Sequence, residues 1–386
     1  MRPKLLFVIA EDYLFWSHRQ PVARAALRAG YEVVVAARVH DHAQRIREAG
    51  FRLIPLELMR ESYSPLRELR AIRQLRRIYR TEKPDIVHQV ALKPVLYGSI
   101  AALGRKDIKV VNALVGLGYL VSSASFKARI LRFGIWNSLR FLLNRPGSRV
   151  LLQNDDDRQL LVDQVSVRPE KTIVIRGSGV DTKTFQPTPE PSGDPVVLLA
   201  ARMLWIKGIG DFVEAASLLK ARNVRARFVL AGDTDVCSPS GISPLQLQEW
   251  QGSGIVEWWG HQDEMHSVLQ RVNIVCLPSH GGEGVPKALL EAAAAGRAIV
   301  TTGVPGCRDI VRQGVNGIVV PPHNPAALAD ALEAMLKQPA MRVEMAKRGR
   351  EIAVNEFSQE AVADQTLALY QSLLGPRAPH VNAPVS

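Results

Sequence analysis

Short continuous apolar runs alternate with longer amphipathic stretches along the chain. The runs "KLLFVIA" (4–10), "YEVVVAA" (31–37), "FRLIPL" (51–56), "DIVHQV" (85–90), "IKVVNAL" (108–114), "SRVLLQ" (148–153) and "KTIVI" (171–175) have strand length. Helical segments of ten to twenty residues lie between most of them. Apolarity without alternation marks strands covered on both faces, the environment of a parallel sheet between helices. The first half therefore predicts one doubly wound domain.

The pattern breaks at "QPTPEPSGDP" (186–195), whose four prolines with Gly and Ser predict a linker. A second series follows: "VVLLAA" (196–201), "ARFVLAG" (226–232), "GIVEWWG" (254–260), "VNIVCLP" (272–278), "RAIVTT" (297–302) and "NGIVVPP" (316–322). The expected organisation is an α/β N-terminal Rossmann-like domain over 1–187 and a second over 188–356. A helix over 357–375 packs back on the first domain, and 376–386 form a disordered tail. At 386 residues the chain exceeds the size at which a single core stops growing, which agrees with two domains facing a cleft.

Open parallel sheets bind ligands beyond the carboxyl ends of their strands, so chemistry is sought in the following loops. After "VVLLAA" come Arg202, Lys207 and Gly208; after "NIVCLP" comes "SHGGEGVPKALLEAAAAG", in which Glu283 and Glu291 stand eight positions apart. Eight helical residues advance about 800°, some 80° past two full turns, so the two acids do not share a helical face. Glu283 is therefore placed on the loop, Pro286 at or near the first helical position, and Glu291 two turns inside. A helix start beside two cations favours phosphate. Hydrogen bonds to charged groups contribute about 1.5–3 kcal/mol each, against about 0.3–1 kcal/mol for the helix dipole, so Arg202 and Lys207 outweigh the helix. The bland alternative keeps Glu291 as an exposed helix residue, Glu283 as a capping acid, and Arg202 and Lys207 as surface charges.

Charge adds a second feature. Of a formal net charge of +12, residues 60–83 carry eight basic side chains against three acids, and 126–149 carry six basic side chains with no acid. Both read as amphipathic helices. In the first, Leu66, Leu69, Ile72, Leu75, Ile78 and Tyr79 recur at threes and fours as one buried stripe; the second adds Phe126, Phe133, Trp136 and Phe141 to its arginines. Such helices suit an anionic membrane surface, at about 1 kcal/mol per Lys or Arg near the lipid; the alternative is an ordinary solvated face. No zinc-finger or RRM-type signature supports nucleic acid. No apolar run approaches the length of a membrane span, and "LLFVIA" is broken by Glu11 and Asp12 too early for a signal peptide. Cys237, Cys276 and Cys307 are scattered without a CxxC pair, which argues for a reducing cytoplasm and against disulfide or zinc frameworks.

The segments "LLAARMLWIKGIGDFVEAA", "FVLAGD", "LPSHGGEGVPKALLEAAAAG" and "TTGVPGCRDIVRQGVNGIVVPPHNPAALADAL" resemble the nucleotide-sugar half of retaining GT-B glycosyltransferases of family 4, with Glu283 and Glu291 as the E-x7-E signature. With "GSGVDTKTFQP" (177–187), the likeness covers about half the chain. "FWSHRQPVARAALRAGYEVVVAA", "KPVLYGSIAA" and "NALVGLGYL" resemble the subgroup that extends undecaprenyl-diphosphate-linked glycans in capsule, O-antigen or glycoprotein assembly.

The resemblance implies that Arg202 and Lys207 neutralise the donor diphosphate and that Glu291 accepts hydrogen bonds from ribose hydroxyls. Glu283 is then near the transferred sugar, with Gly284, Val285, Pro286 and Lys287 offering backbone N–H groups. Gly232, Asp233 and His261 border the base. The chain departs from the family in two places. The glycine-rich turn after the first strand is replaced by "EDYLFWSHRQ", with His18 or Arg19 as the candidates to stand in for it, and no histidine follows the fifth strand. His88 and Lys93 are further acceptor candidates, His88 with a structural role as the alternative. "NDDDRQLL" is read as an N-cap at Asn154 with acids in the first helical turn rather than as a metal motif. No metal and no cofactor beyond the nucleotide-sugar donor, expected to be UDP-linked, is expected, because a diphosphate neutralised by side chains needs no divalent cation. The resemblance implies retention of configuration by same-face attack on a lipid-diphosphate-linked saccharide at the cytoplasmic membrane face. A UDP-sugar epimerase of similar shape and a non-catalytic membrane scaffold are the rival readings.

Overall fold

The computed structural model describes residues 2–59, 64–117, 126–235, 238 and 240–379, with 126–133 as backbone only. The expectations for Arg60, Glu61, Phe126, Phe133, Cys237 and the tail beyond 379 lie outside the described residues and side chains. The chain divides into two compact units, Met1–Arg176 with Glu360–Ser386, and Gly177–Gln359.

All thirteen apolar runs form strands. The first unit contains β1 (Lys4–Glu11), β2 (Glu32–Arg38), β3 (Arg52–Pro55), β4 (Ile86–Val90), β5 (Lys109–Ala113), β6 (Ser148–Leu152) and β7 (Thr172–Val174). They make one sheet in the order β3-β2-β1-β4-β5-β6-β7, parallel throughout. The second unit contains β8 (Val196–Ala200), β9 (Arg227–Ala231), β10 (Glu257–Trp258), β11 (Ile274–Leu277), β12 (Ala298–Thr302) and β13 (Gly317–Val320). Its order is β10-β9-β8-β11-β12-β13, again parallel. Every residue of β1 after Lys4 is buried, as is all of β11 and β12, which is why these segments read as uninterrupted apolar runs. The strand order reverses between β1 and β4 in one sheet and between β8 and β11 in the other, so within each sheet the loops after that pair of strands lie at its own ligand-binding end.

The division of the chain differs from the one drawn at 187/188. Residues 186–195 lie inside the second unit. Glu190 receives two hydrogen bonds from the Arg342 guanidinium at 2.7 and 2.6 Å, and Arg297, 1% exposed, donates to the Thr188 carbonyl at 2.8 Å. Prolines there prevent regular structure but leave the side chains free to pin the segment down. From Glu360 onward the helix Gln359–Leu374 belongs to the first unit, where Val362, Ala363, Leu367 and Tyr370 join Phe7, Phe15 and Val35 in one core.

Two local readings can be judged directly. The Asn154 side chain accepts from the Asp157 N–H at 2.7 Å and caps the helix Asp155–Val165, as the pattern predicts. In the basic helix Pro65–Glu82, Ala71, Leu75, Ile78 and Tyr79 are buried, but Leu66 and Leu69 are 71% and 42% exposed. The single buried stripe therefore covers only the later turns of that helix. Among the described residues no helix is long and apolar enough to cross a membrane.

Candidate active site

The loops following β8 and β11 are pressed together. Gly208 has φ 73°, and a Cβ there would lie 1.9 Å from the Pro278 carbonyl oxygen, so only glycine permits the approach. The His280 N–H donates to the Ile206 carbonyl at 2.9 Å. The contact carries Lys207, at the end of a 3-10 turn, to Glu283: Nζ and Oε1 stand 2.6 Å apart, and the Ser279 hydroxyl donates to the same oxygen at 2.8 Å. Glu283 is 8% exposed. A third loop closes over it, because Gly306 (φ 82°) comes so near the Gly284 carbonyl that a Cβ would sit 1.5 Å from its oxygen. A lysine, a carboxylate and a serine are thus held at one point of the switch region.

Pro286 is the N-cap of the helix Lys287–Ala294, so Glu291 is its fifth residue, little more than one turn inside rather than two. Its carboxylate is 6% exposed and 3.3 Å from Lys287 Nζ. Burial raises the Glu291 carboxyl above its ordinary range, opposed by the Lys287 ammonium. The first turn of this helix presents N–H groups that have no intrahelical acceptor, as at any helix start. Glu291 is not the exposed helix residue of the bland alternative.

Arg202 is held elsewhere. Its Nη1 is 2.8 Å from Asp235 Oδ2, and its side chain is 54% exposed. Gly232 joins two segments, donating to the Gly260 carbonyl at 2.7 Å and accepting from Trp258 Nε1 at 3.0 Å. Asp233 and His261 are exposed and 3.4 Å apart. The structure therefore brings Lys207 to Glu283, Lys287 to Glu291 and Asp233 to His261, while Arg202 pairs with Asp235. Ser279 and Asp235 escaped the sequence reading. Nothing in a lone serine or aspartate signals a partner that the fold alone brings near.

The N-terminal candidates are occupied differently from expectation. The segment after β1 is helical (Asp12–His18), and His18 Nδ1 is 2.6 Å from the Ser17 hydroxyl. Arg19, between this helix and the next, is 2% exposed, and burial lowers the pKa of its guanidinium. His88 is fully buried, its Nδ1 2.5 Å from the Tyr370 hydroxyl and its ring stacked on Phe7. Burial, then the neighbouring Arg19 charge, push its pKa well below the usual histidine value, so it is neutral. This corrects the acceptor role given to His88: it fastens β4 to the returning helix. Lys93 Nζ is 3.1 Å from Glu68 and donates to the Met59 carbonyl at 2.9 Å, tying neighbouring segments together.

Cys276 and Cys307 are buried free thiols, and burial pushes Cys307 up to about 12, which suits packing rather than chemistry. Among the described residues one set of side chains has metal-ligand character: Asp211, His280 and His323, whose ligand atoms all lie within 4.8 Å of one another.

Comparison with known proteins places the chain among glycosyltransferases. Residues 4–145 match the family described as Glycosyl transferase 4-like, and residues 194–338 match Glycosyl transferases group 1. The chain is 29% identical over 369 residues to the N,N'-diacetylbacillosaminyl-diphospho-undecaprenol alpha-1,3-N-acetylgalactosaminyltransferase of Campylobacter jejuni, covering 92% of this chain and 95% of that protein. Among solved structures it resembles sucrose-phosphate synthase from Thermosynechococcus elongatus (TM-score 0.80, 20% identity, 97% of this chain and 99% of that one). It also resembles Anabaena HepE in complex with UDP and glucose (TM-score 0.78, 16% identity, 96% of this chain and 100% of that one).

Proposed function

We propose, from the premise that the chain belongs to the GT-B glycosyltransferases of family 4, that it moves a hexose or N-acetylhexosamine from a UDP-sugar to a lipid-diphosphate-linked saccharide. The observation that carries the reading is the Lys207–Glu283–Ser279 cluster at the switch point of the second sheet. An ammonium beside a helix start is suited to a departing diphosphate, and Glu283 holds that ammonium in place until the donor arrives. Arg202, exposed and able to leave Asp235, adds a second positive charge. Glu291, one turn into the helix, is suited to accept from ribose hydroxyls.

In this reading the bond between the anomeric carbon and the β-phosphate oxygen breaks, and a bond from the acceptor hydroxyl forms on the same face. The hydroxyl proton passes to the departing phosphate oxygen, so the configuration is retained. Side-chain cations carry the charge that a divalent ion would otherwise carry, which makes the transfer resistant to EDTA. The acceptor class is supported by the name of the Campylobacter relative. Work at an anionic membrane surface is supported by exposed Leu66 and Leu69 among the arginines of Pro65–Glu82, and by Phe141, 68% exposed, on the helix Phe126–Leu143.

The test is incubation of purified protein with labelled UDP-sugars and GDP-mannose, with and without a polyprenyl-diphosphate saccharide, each with and without EDTA. Label on the lipid in EDTA is expected. Altered free UDP-sugar without acceptor would make the protein an epimerase, and no turnover of any donor would make it a scaffold.

A further inference from the structure

We propose that Asp211, His280 and His323 form a site for zinc or a similar divalent transition metal, which ties the loop carrying Glu283 to the helix that follows Lys207. The three ligands come from separate parts of the second unit: the first turn of the helix Ile209–Ala221, the loop after β11, and the turn after β13. His280 Nε2 stands 3.0 Å from Asp211 Oδ2, and the rings of His280 and His323 lie 3.7 Å apart, inclined at 37°. Two imidazoles with one carboxylate are a zinc-type donor set that leaves a fourth position for water.

At zinc–ligand bonds near 2.0–2.1 Å, tetrahedral ligands stand about 3.3 Å from one another. The pair Asp211–His280 already meets this spacing, and closing the rest requires movement mainly of His323, the exposed member. His323 sits in the left-handed region at φ 55°, a conformation in which histidine is enriched among non-glycine residues. The ion does not touch the transfer chemistry proposed above. It acts on the loop that begins at Pro278 and carries Glu283 three residues beyond His280, so its role is to stiffen that loop and stabilise the unit.

Calorimetric titration of the untagged, EDTA-stripped full chain with zinc chloride tests the site, with thermal melting alongside. One ion per chain is expected, together with a higher Tm in zinc, because an ion that binds only the folded state stabilises it. His323→Asn and His280→Gln should each weaken binding at least about tenfold. Asn tolerates the left-handed backbone, so His323→Asn removes the imidazole without unfolding the turn. His266→Ala, at a separate, half-buried histidine, should bind as the parent does. Absence of saturable binding by the parent, or equal binding and an equal zinc-dependent Tm rise in the His280→Gln/His323→Asn double variant, overturns the proposal.

Discussion

Lys207 and Glu283, 76 positions apart in the chain, meet at 2.6 Å because the loops after β8 and β11 leave no room for a side chain at Gly208. The pair is a device for holding a cation ready: a buried acid keeps the ammonium pointed at the helix start until a phosphate competes for it.

Removing the cation exposes this dependence. Lys207→Ala should lower kcat/KM for the donor by about tenfold to somewhat over a hundredfold, the worth of one charged hydrogen bond. It should also lower Tm, since among the described residues the buried Glu283 side chain then keeps only the Ser279 hydroxyl as a hydrogen-bond partner. Adding Glu283→Gln should recover much of the Tm but none of the activity. A Lys207→Ala enzyme with parental kcat/KM would remove the pair from the mechanism.

Glu291 carries a pH signature. Its carboxyl is raised in the folded protein, so the folded state binds that proton more tightly than the unfolded chain does. The stability contribution is fully present below the unfolded value near 4.5 and is lost as pH rises through the higher folded value. Above the folded value the ionised, buried group is a cost. Glu291→Gln should therefore raise Tm relative to the parent increasingly as pH rises through that folded value, the gain shrinking as the pH falls toward the unfolded value, while donor affinity drops. A pH-independent Tm difference between variant and parent would contradict this assignment.

The central strands β1, β11 and β12 were legible because they are buried on both faces, which writes an apolar run into the sequence, whereas β3, β7 and β10, with one buried residue or none, were legible from their apolar content between helical segments. Register-independent contacts were not legible. The sequence places Pro187, Pro189 and Pro191 in a tract that looks like a tether, and only the fold shows Glu190 locked on Arg342. In the site, Lys207, Glu283 and Glu291 were marked by motif spacing, whereas Arg202 was found without its partner Asp235. His88 misled for a physical reason: a polar residue in an apolar strand signals function or a buried partner equally well, and its partner Tyr370 lies 282 positions away.

That partner predicts a stability effect confined to the first unit. Tyr370→Phe leaves buried His88 without a hydrogen bond at either ring nitrogen among the described residues, at a cost of about 1–3 kcal/mol. Differential scanning calorimetry should show a lowered Tm, and His88→Phe/Tyr370→Phe should lie closer to the parent than either single variant. Equal or greater destabilisation in the double variant would show that the two side chains act separately.

The basic helix Pro65–Glu82 supplies the last prediction. Its later turns bury Leu75, Ile78 and Tyr79, while Leu66 and Leu69 face solvent beside Arg67 and Arg70, which are exposed as well. Inserting a leucine side chain into lipid contributes up to about 1.5–3 kcal/mol, and each nearby arginine about 1 kcal/mol on an anionic surface. Co-sedimentation with phosphatidylglycerol-containing vesicles should therefore weaken as salt rises, and Leu66→Gln/Leu69→Gln should bind at least about tenfold less than the parent. Neither leucine belongs to the transfer site, so turnover on a water-soluble, short-chain diphosphate acceptor should be unchanged in that variant. Parental sedimentation by the variant, or binding indifferent to lipid charge, would return this helix to an ordinary solvated face.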